Sequence, residues 1–314
     1  MTTTTQGTLG AGADTPQASA TGQFAIVVGI DASVCSRRAA GWAAAEAVRR
    51  GGSLLLVHAC FLPSAGYSGD NPYPANLLPR LRQEGEALLI DTVAALRVAH
   101  PALAIDTRIT YGDPATVLRH ASATAQLTVV GARGGDHVVS SLGSVTVGIV
   151  TTNPGPVVVI HPAAQSAPSG PIVVGVDGSP TNPAVLRFAF ESAAIRGVPV
   201  VAVHCWTDPV IVGDMPYFTE GIVDSAVLAT EQRHFLAQAL APWEAAFPNV
   251  VVRQVVIHGR PTPALLESSR TAQLTVVGSH GHNAAGGLLL GCTSLALITH
   301  SPSPVVVVRP GAAA

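Results

Sequence analysis

The chain contains 314 residues, a length that favours about two domains of ordinary size. Only 11% of the residues are charged, and all 17 basic residues are arginine, so mechanisms that need a P-loop, Schiff-base or kinase lysine are excluded. The net charge of −2 offers no basic surface of the kind that nucleic acid requires, so we expect no nucleic-acid partner.

The apolar stretches raise the question of a membrane span, because the mean hydropathy is +0.41. Prolines and glycines interrupt these stretches, and none reaches the roughly 20 apolar residues of a spanning helix, so we expect no membrane partner. Residues 1–22 lack the charged and apolar regions of a signal peptide, and we expect a disordered tail there. The cysteines form no CxxC pair, which favours free thiols and a cytoplasmic location.

In chain order, the first half alternates short apolar strands with helical segments. The predicted strands are 24–30, 54–60, 104–110, 127–130 and 157–160. The predicted helices are 36–50, 77–99, one that begins at Asp113-Pro114 and one that follows Leu142. This alternation implies parallel strands with right-handed crossovers, in an open sheet whose ligands bind beyond the carboxyl ends of the strands.

The same order of landmarks occurs twice along the chain. Val-Val-Gly-Ile-Asp-Ala-Ser at 27–33 recurs as Val-Val-Gly-Val-Asp-Gly-Ser at 173–179. Thr-Ala-Gln-Leu-Thr-Val-Val-Gly at 124–131 recurs without change at 271–278. A repeat of this length and order indicates that one domain has been duplicated.

The predicted fold class is therefore α/β, with two tandem open five-stranded parallel sheets of the Rossmann-like type. The expected domains span residues 23–162 and 172–310. Residues 163–171 are uncharged and rich in alanine, proline, serine and glycine, which is typical of a linker.

An aspartate follows the first predicted strand of each half. Asp31 comes after Gly29-Ile30, and Asp177 comes after Gly175-Val176. A carboxylate at this edge can accept hydrogen bonds from a ligand, but an aspartate there is also typical of a turn or a helix N-cap. The residues alone leave both interpretations open.

A glycine cluster follows the fourth predicted strand of each half, and small residues begin the next helix. The clusters are Gly131-Ala-Arg133-Gly134 and Gly278-Ser-His280-Gly281. The helix starts are Gly143-Ser144 and Gly291-Cys292-Thr293. Such segments let backbone N–H groups approach an anion, although ordinary turns and helix caps use the same residue types.

Taken together, these motifs resemble the universal stress protein family in its tandem two-domain form. ATP-binding members of that family carry Gly-x2-Gly-x9-Gly-Ser/Thr after the fourth strand. The second half has this spacing, with nine residues between Gly281 and Gly291. The first half departs from it, with eight residues between Gly134 and Gly143 and with Asp136 among them. In the second half, Cys292 stands where serine or threonine is usual.

The resemblance implies an ATP site with Mg2+ in each half. It places Asp31 and Asp177, flanked by Gly29 and Gly175, at the nucleoside end of ATP, and the backbone of Val57 and Val203 against adenine. It places the two glycine clusters on ribose and phosphates, and the two helix starts on the phosphates. It also implies that the last strands, 157–160 and 305–308, pair to form an intrachain pseudo-dimer, and that the chain forms a homodimer.

Histidines occur beside both expected sites. A metal-binding role for His280 and His282 is open, but no third ligand is near in sequence, which favours histidines that contact solvent or phosphate. His58 and His204 occupy matching positions in the second strands, where we expect packed, hydrogen-bonded side chains.

Three functions fit these residues. The first is an ATP-binding regulator of stress response or growth that acts through its conformation or through an unidentified protein partner. The second is a scaffold of the same fold that binds no nucleotide, and the third is a slow ATPase. Because the chain has neither a lysine nor a His-x-Gly-His motif, we expect a regulator, with at most weak ATP hydrolysis.

Overall fold

The structure is a computed structural model, and it describes residues 25–61, 76–132, 142–164, 167, 169–179, 182–207, 225–281 and 290–309. The expected tail and the predicted residues Arg133 and Gly134 lie outside these ranges.

Strands and helices alternate in both halves, as the sequence predicts. The first half contains β1 (Ala25–Gly29), α1 (Val34–Arg50), β2 (Ser53–Cys60), α2 (Leu77–Ala99), β3 (Ile105–Tyr111), α3 (Pro114–Ala121), β4 (Leu127–Gly131), α4 (Ser144–Thr152) and β5 (Val157–Ile160). The second half contains β6 (Ile172–Val176), α5 (Asn182–Arg196), β7 (Val200–Trp206), α6 (Ser225–Ala246), β8 (Val252–His258), α7 (Pro261–Ser269), β9 (Leu274–Gly278), α8 (Cys292–His300) and β10 (Val305–Val308).

Local capping explains where the helices begin and end. The Ser33 hydroxyl accepts a hydrogen bond from the Ser36 amide at 3.0 Å, so α1 begins two residues before the predicted start. Gly51 ends α1 in the left-handed region, with φ of 64°, where glycine avoids the strain of a side chain. The Asp113 carboxylate caps α3 at the amide of Thr116, and Pro114 occupies the first turn, as predicted.

The strands form one ten-stranded sheet in the order β3-β2-β1-β4-β5-β10-β9-β6-β7-β8. All neighbours are parallel except β5 and β10, which are antiparallel with Val158 opposite Val306. The predicted pairing of the two last strands is therefore confirmed. Because the halves run in opposite directions across this junction, the carboxyl ends of their parallel strands lie at opposite edges of the sheet.

Helices cover both faces of the sheet, so the strands are apolar on both sides. Alternate residues of β1 illustrate this, since Val28 packs in the core under α1 and α2 while Val27 packs in the core under α3 and α4. Five fully buried alanines of α1 let that helix lie close to the sheet: Ala39, Ala40, Ala43, Ala44 and Ala47. This double burial accounts for the high mean hydropathy. In the described ranges, no helix combines the length and the apolar character that a membrane crossing would require.

Candidate functional site

A cavity of about 530 Å3 opens at the carboxyl edge of the first half. It lies where β1 has β2 on one side and β4 on the other, which is the switch point at which open α/β sheets bind ligands. Its lining residues come from the ends of the strands and from α1, α3 and the start of α4: Gly29, Ile30, Asp31, Ser36, Val57, His58, Ala59, Pro114, Leu118, Val130, Gly131, Leu142, Gly143, Ser144, Val145 and Thr146.

The structure brings the predicted first-half residues together in this cavity wherever it describes them. Those residues are Gly29, Asp31, Val57, Gly131, Gly143 and Ser144. Val57 lies within β2, which continues for three residues beyond it, as the predicted strand 54–60 implies. It lies beside Gly29, the last residue of β1, and it reaches the cavity from there.

Asp31 combines a turn role with a position at the cavity. Its Oδ1 accepts a hydrogen bond from the Ser33 amide at 2.9 Å, and its main-chain oxygen accepts one from the Ser36 hydroxyl. Ser33, not Asp31, is the N-cap of α1. Within the described ranges, no hydrogen bond is made to Asp31 Oδ2, so this oxygen can accept one from a ligand in the cavity.

The start of α4 is tied to the end of β4. The Gly143 amide donates to the carbonyl of Ala132 at 3.0 Å, and the Thr146 hydroxyl donates to the carbonyl of Gly131 at 2.7 Å. Gly143 is the N-cap of α4, and within the described ranges no side-chain hydrogen bond caps that end of the helix. Because the first amides of a helix lack partners within the helix and carry the positive end of its dipole, this end can attract an anion.

The second half repeats this arrangement around α8. The Gly291 amide donates to the carbonyl of Ser279 at 2.8 Å, and the Ser294 hydroxyl donates to the carbonyl of Gly278 at 2.6 Å. Gly291 is the N-cap, and among the residues that the structure describes none supplies a side-chain cap. A glycine occupies the N-cap in both halves, so neither Ser144 nor Thr293 is the N-cap of its helix, the alternative that the sequence had left open.

Asp177 lies against the glycine cluster of the second half. Its Oδ1 accepts from the Ser179 amide at 3.0 Å. A Cβ placed on Gly281 would lie 3.2 Å from Asp177 Oδ2, so the predicted aspartate and the predicted glycine are neighbours. Gly291 in turn packs against this turn, because a Cβ there would lie 3.6 Å from the Gly281 nitrogen.

The remaining predicted residues of the second half surround this turn or the adjoining strand. Val203 pairs in register with Gly175, as Val57 does with Gly29. The His280 ring lies 2.9 Å from the Ser279 hydroxyl. Cys292, the first residue of α8, is exposed, and the Thr293 hydroxyl lies 3.5 Å from that of Thr262. His282 lies outside the described residues.

The matching histidines of the second strands are hydrogen-bonded, as expected. His58 Nδ1 lies 2.9 Å from the Ile30 carbonyl, and His204 Nδ1 lies 2.7 Å from the Val176 carbonyl. Because a carbonyl only accepts, each Nδ1 carries the proton. These bonds hold the ends of β1 and β6, which carry the two aspartates.

The wall that α3 contributes was not predicted, nor were the lining residues on either side of the predicted Gly143-Ser144. Pro114 and Leu118 come from α3, and Leu142, Val145 and Thr146 come from the approach to α4 and its first turns. The Asp113-Pro114 helix start was a usable signal, since a helix that follows β3 must begin at the same edge of the sheet. Leu118 packs closely against Gly29. A Cβ built on Gly29 would lie 2.8 Å from the Leu118 side chain.

The pKa values of two thiols near these edges are raised. Burial raises the pKa of Cys60 at the end of β2, a rise that Arg82 opposes and Glu86 reinforces. Burial alone raises the pKa of Cys205 on β7. In the described ranges, no three side chains of the histidine, cysteine, aspartate or glutamate type gather into a group that could hold a metal ion.

The continuous sheet and the paired strand-end sites define a tandem Rossmann-like α/β protein. The model of the universal stress protein family matches residues 24–161 and 169–309. The chain belongs to the universal stress protein family.

Full-length relatives and a solved structure agree with this assignment. A universal stress protein of Mycobacterium tuberculosis is 35% identical over 302 residues, which cover 90% of this chain and 94% of the relative. One of Mycolicibacterium smegmatis is 36% identical over 299 residues, which cover 92% and 98%. The crystal structure of a universal stress protein from Archaeoglobus fulgidus aligns with a TM-score of 0.69 at 19% identity, over 91% of this chain and 98% of that one, and therefore supports the fold.

Proposed function

We propose that this protein binds ATP together with Mg2+ at the carboxyl edge of each half, and that it acts as a cytoplasmic regulator. The observation that carries the proposal is the first-half cavity, in which Asp31, Val57, Gly131 and the start of α4 meet. Its volume of about 530 Å3 lies within the range of about 300–1,000 Å3 that is usual for small-molecule sites.

The donors and acceptors of the cavity match the parts of a nucleotide. Val57, Leu118 and Val130 provide an apolar wall for a base. Asp31 Oδ2 can accept from a ribose hydroxyl, and the uncapped amides at the start of α4 can donate to phosphate oxygens. Mg2+ is usually held by only one or two carboxylates and by the phosphates themselves, so a metal cluster within the protein is not required.

The absence of lysine favours retention of the nucleotide over its turnover. The phosphates would be held by backbone amides, hydroxyls, arginine and metal. Such a site stabilises a bound state of the protein, which a protein partner or a second copy of the chain can recognise. We also propose that the chain forms a homodimer and that it acts on a regulatory protein partner.

The test is to denature the purified protein and to quantify the nucleotide released per chain. We expect ATP from the wild type, less from Asp31→Ala and from Asp177→Ala, and none from the double variant, because each variant removes the acceptor of one site. Asp106→Ala, at an exposed aspartate on β3, is the matched control and should retain full content. No ATP in the wild type, and no thermal shift with Mg-ATP, would favour the scaffold instead. Turnover above about 1 per second would indicate an enzyme.

A further inference from the structure

The two aspartates are held differently by the first turns of the helices that follow them. Ser36 and Asn182 are equivalent, since each lies five residues after its aspartate. The Ser36 hydroxyl donates to the main-chain oxygen of Asp31 and not to the Asp31 carboxylate. The terminal amide of Asn182 lies instead between the Asp177 carboxylate and the backbone amide of Gly178.

Donor and acceptor chemistry fixes the orientation of the Asn182 amide. A carboxylate only accepts and a backbone N–H only donates. With the Asn182 nitrogen facing Asp177 Oδ1 at 3.0 Å, its oxygen accepts from the Gly178 amide at 2.8 Å. The reverse orientation places two acceptors against each other and keeps only a long hydrogen bond of 3.4 Å from the Asp177 amide, so we assign the first orientation. Asn182 is buried, with 7% of its surface exposed, so water does not compete freely for these bonds.

The consequence is a difference in how firmly the two carboxylates are oriented. Asp177 Oδ1 receives two donors, from Ser179 and Asn182, whereas Asp31 Oδ1 receives one, from Ser33. Two donors on one oxygen restrict rotation of the carboxylate, and Asp177 Oδ2 then faces Gly281 of the second-half glycine cluster. An acceptor that is already oriented binds its ligand without the cost of being ordered.

We propose that Asn182 is a positioning residue that orients the Asp177 carboxylate toward the nucleoside end of the ligand. Because of this orientation, the second site binds the nucleotide with higher affinity than the first. The proposal rests on the proposed nucleotide binding. Asn182 acts through Asp177 and through the turn at Gly178, without touching the phosphates.

The experiment isolates the second site in an Asp31→Ala background and measures the affinity for Mg-ATP by calorimetry, with and without Asn182→Ser. Serine is the residue that occupies this place in the first half, so the turn should remain folded. We expect Mg-ATP to bind about tenfold more weakly, the effect of losing one hydrogen bond to a charged group. Asn182→Asp keeps the acceptor for Gly178 but removes the donor, and should weaken binding at least as much.

Inorganic triphosphate distinguishes positioning from damage to the fold. It lacks the nucleoside, so its affinity should be the same with and without Asn182→Ser. Equal loss for triphosphate and ATP would overturn the proposal, because it would mean a general disturbance of the site, and so would an unchanged affinity for ATP. If the wild type binds ATP but Asp31→Ala does not, the second site is not used and this proposal fails, while nucleotide binding in the first half stands.

Discussion

At the scale of single residues, Gly131 at the end of β4, the first residue of the first-half glycine cluster, is fixed by the packing of the fold. A Cβ on Gly131 would lie 2.6 Å from the Cβ of Cys35 and 2.9 Å from its carbonyl carbon, at the first turn of α1. The sequence left two interpretations open for this cluster, an anion site and an ordinary turn. In the first half, Gly131 is required by close packing, whatever binds in the cavity.

Gly131→Ala should therefore lower the free energy of unfolding by about 1–3 kcal/mol, because backbone atoms cannot move away as a flexible side chain would. Gly41→Ala is the control, since nothing lies within 4 Å of a Cβ in that helical position. It should raise the free energy of unfolding by about 0.5–1 kcal/mol, through better helix propensity. Urea denaturation measures both. Equal stability of the two variants would contradict the steric argument.

At the scale of elements, the apolar runs and the helix caps predict the order of strands and helices. They do not predict the contacts between side chains that are distant in sequence. The helix 77–99 and the strand 157–160 were predicted with the bounds they have, because proline, glycine and polar residues flank them. The edge at which Asp31 and Gly131 meet followed from parallel topology alone. The contact of Asn182 with Asp177 and the cavity wall from α3 depend on how the helices pack against the sheet. The local sequence pattern does not encode that packing.

An ion pair between the Glu46 carboxylate of α1 and Arg196 of α5 connects the two helices. The local sequence pattern does not predict this contact. Glu46 is fully buried, and it accepts hydrogen bonds from Arg50 at 2.7 Å, from Arg49 at 3.1 Å and from Arg196 of the other half. Burial lowers the pKa of Arg196, an effect that Glu46 opposes. One buried carboxylate thus forms ion pairs with arginines from both halves.

Glu46→Gln should be strongly destabilising, by about 3–5 kcal/mol, because it leaves buried arginine without its counter-ion. Arg49→Ala removes a partner whose side chain is 41% exposed, and should change stability by at most about 1 kcal/mol. Chemical denaturation of both variants provides the comparison. A Glu46→Gln protein as stable as Arg49→Ala would show that the buried cluster does not hold the halves together.

At the scale of the whole molecule, the duplicated halves are related by an approximate two-fold axis at the β5–β10 junction, but the buried charge is not shared equally. Arg50 and Arg196 are equivalent, whereas the equivalent of Glu46 is Ser192. The Ser192 hydroxyl accepts a hydrogen bond from Arg50, at 3.2 Å, but carries no charge to pair with it. The sequence repeat predicts the axis, and the difference between Glu46 and Ser192 makes the two halves complementary.

Each half expressed alone should pair with itself, since β5 and β10 consist of fully buried valines and isoleucine that would otherwise form an exposed edge. The two self-pairings should differ in strength. A pair of first halves contains two copies of Glu46 for its buried arginines, but a pair of second halves would bring Arg196 against its own copy with serine in place of the carboxylate.

Light scattering over a dilution series should therefore give dimers that dissociate at lower concentration for residues 1–162 than for 169–314, and an equimolar mixture should form the mixed pair. Ser192→Glu in the second half supplies the missing carboxylate and should tighten its self-pairing, while Val306→Asp places a charge at the strand junction and should abolish it. Second halves that pair as tightly as first halves, with no response to Ser192→Glu, would show that the valine strands alone determine the assembly.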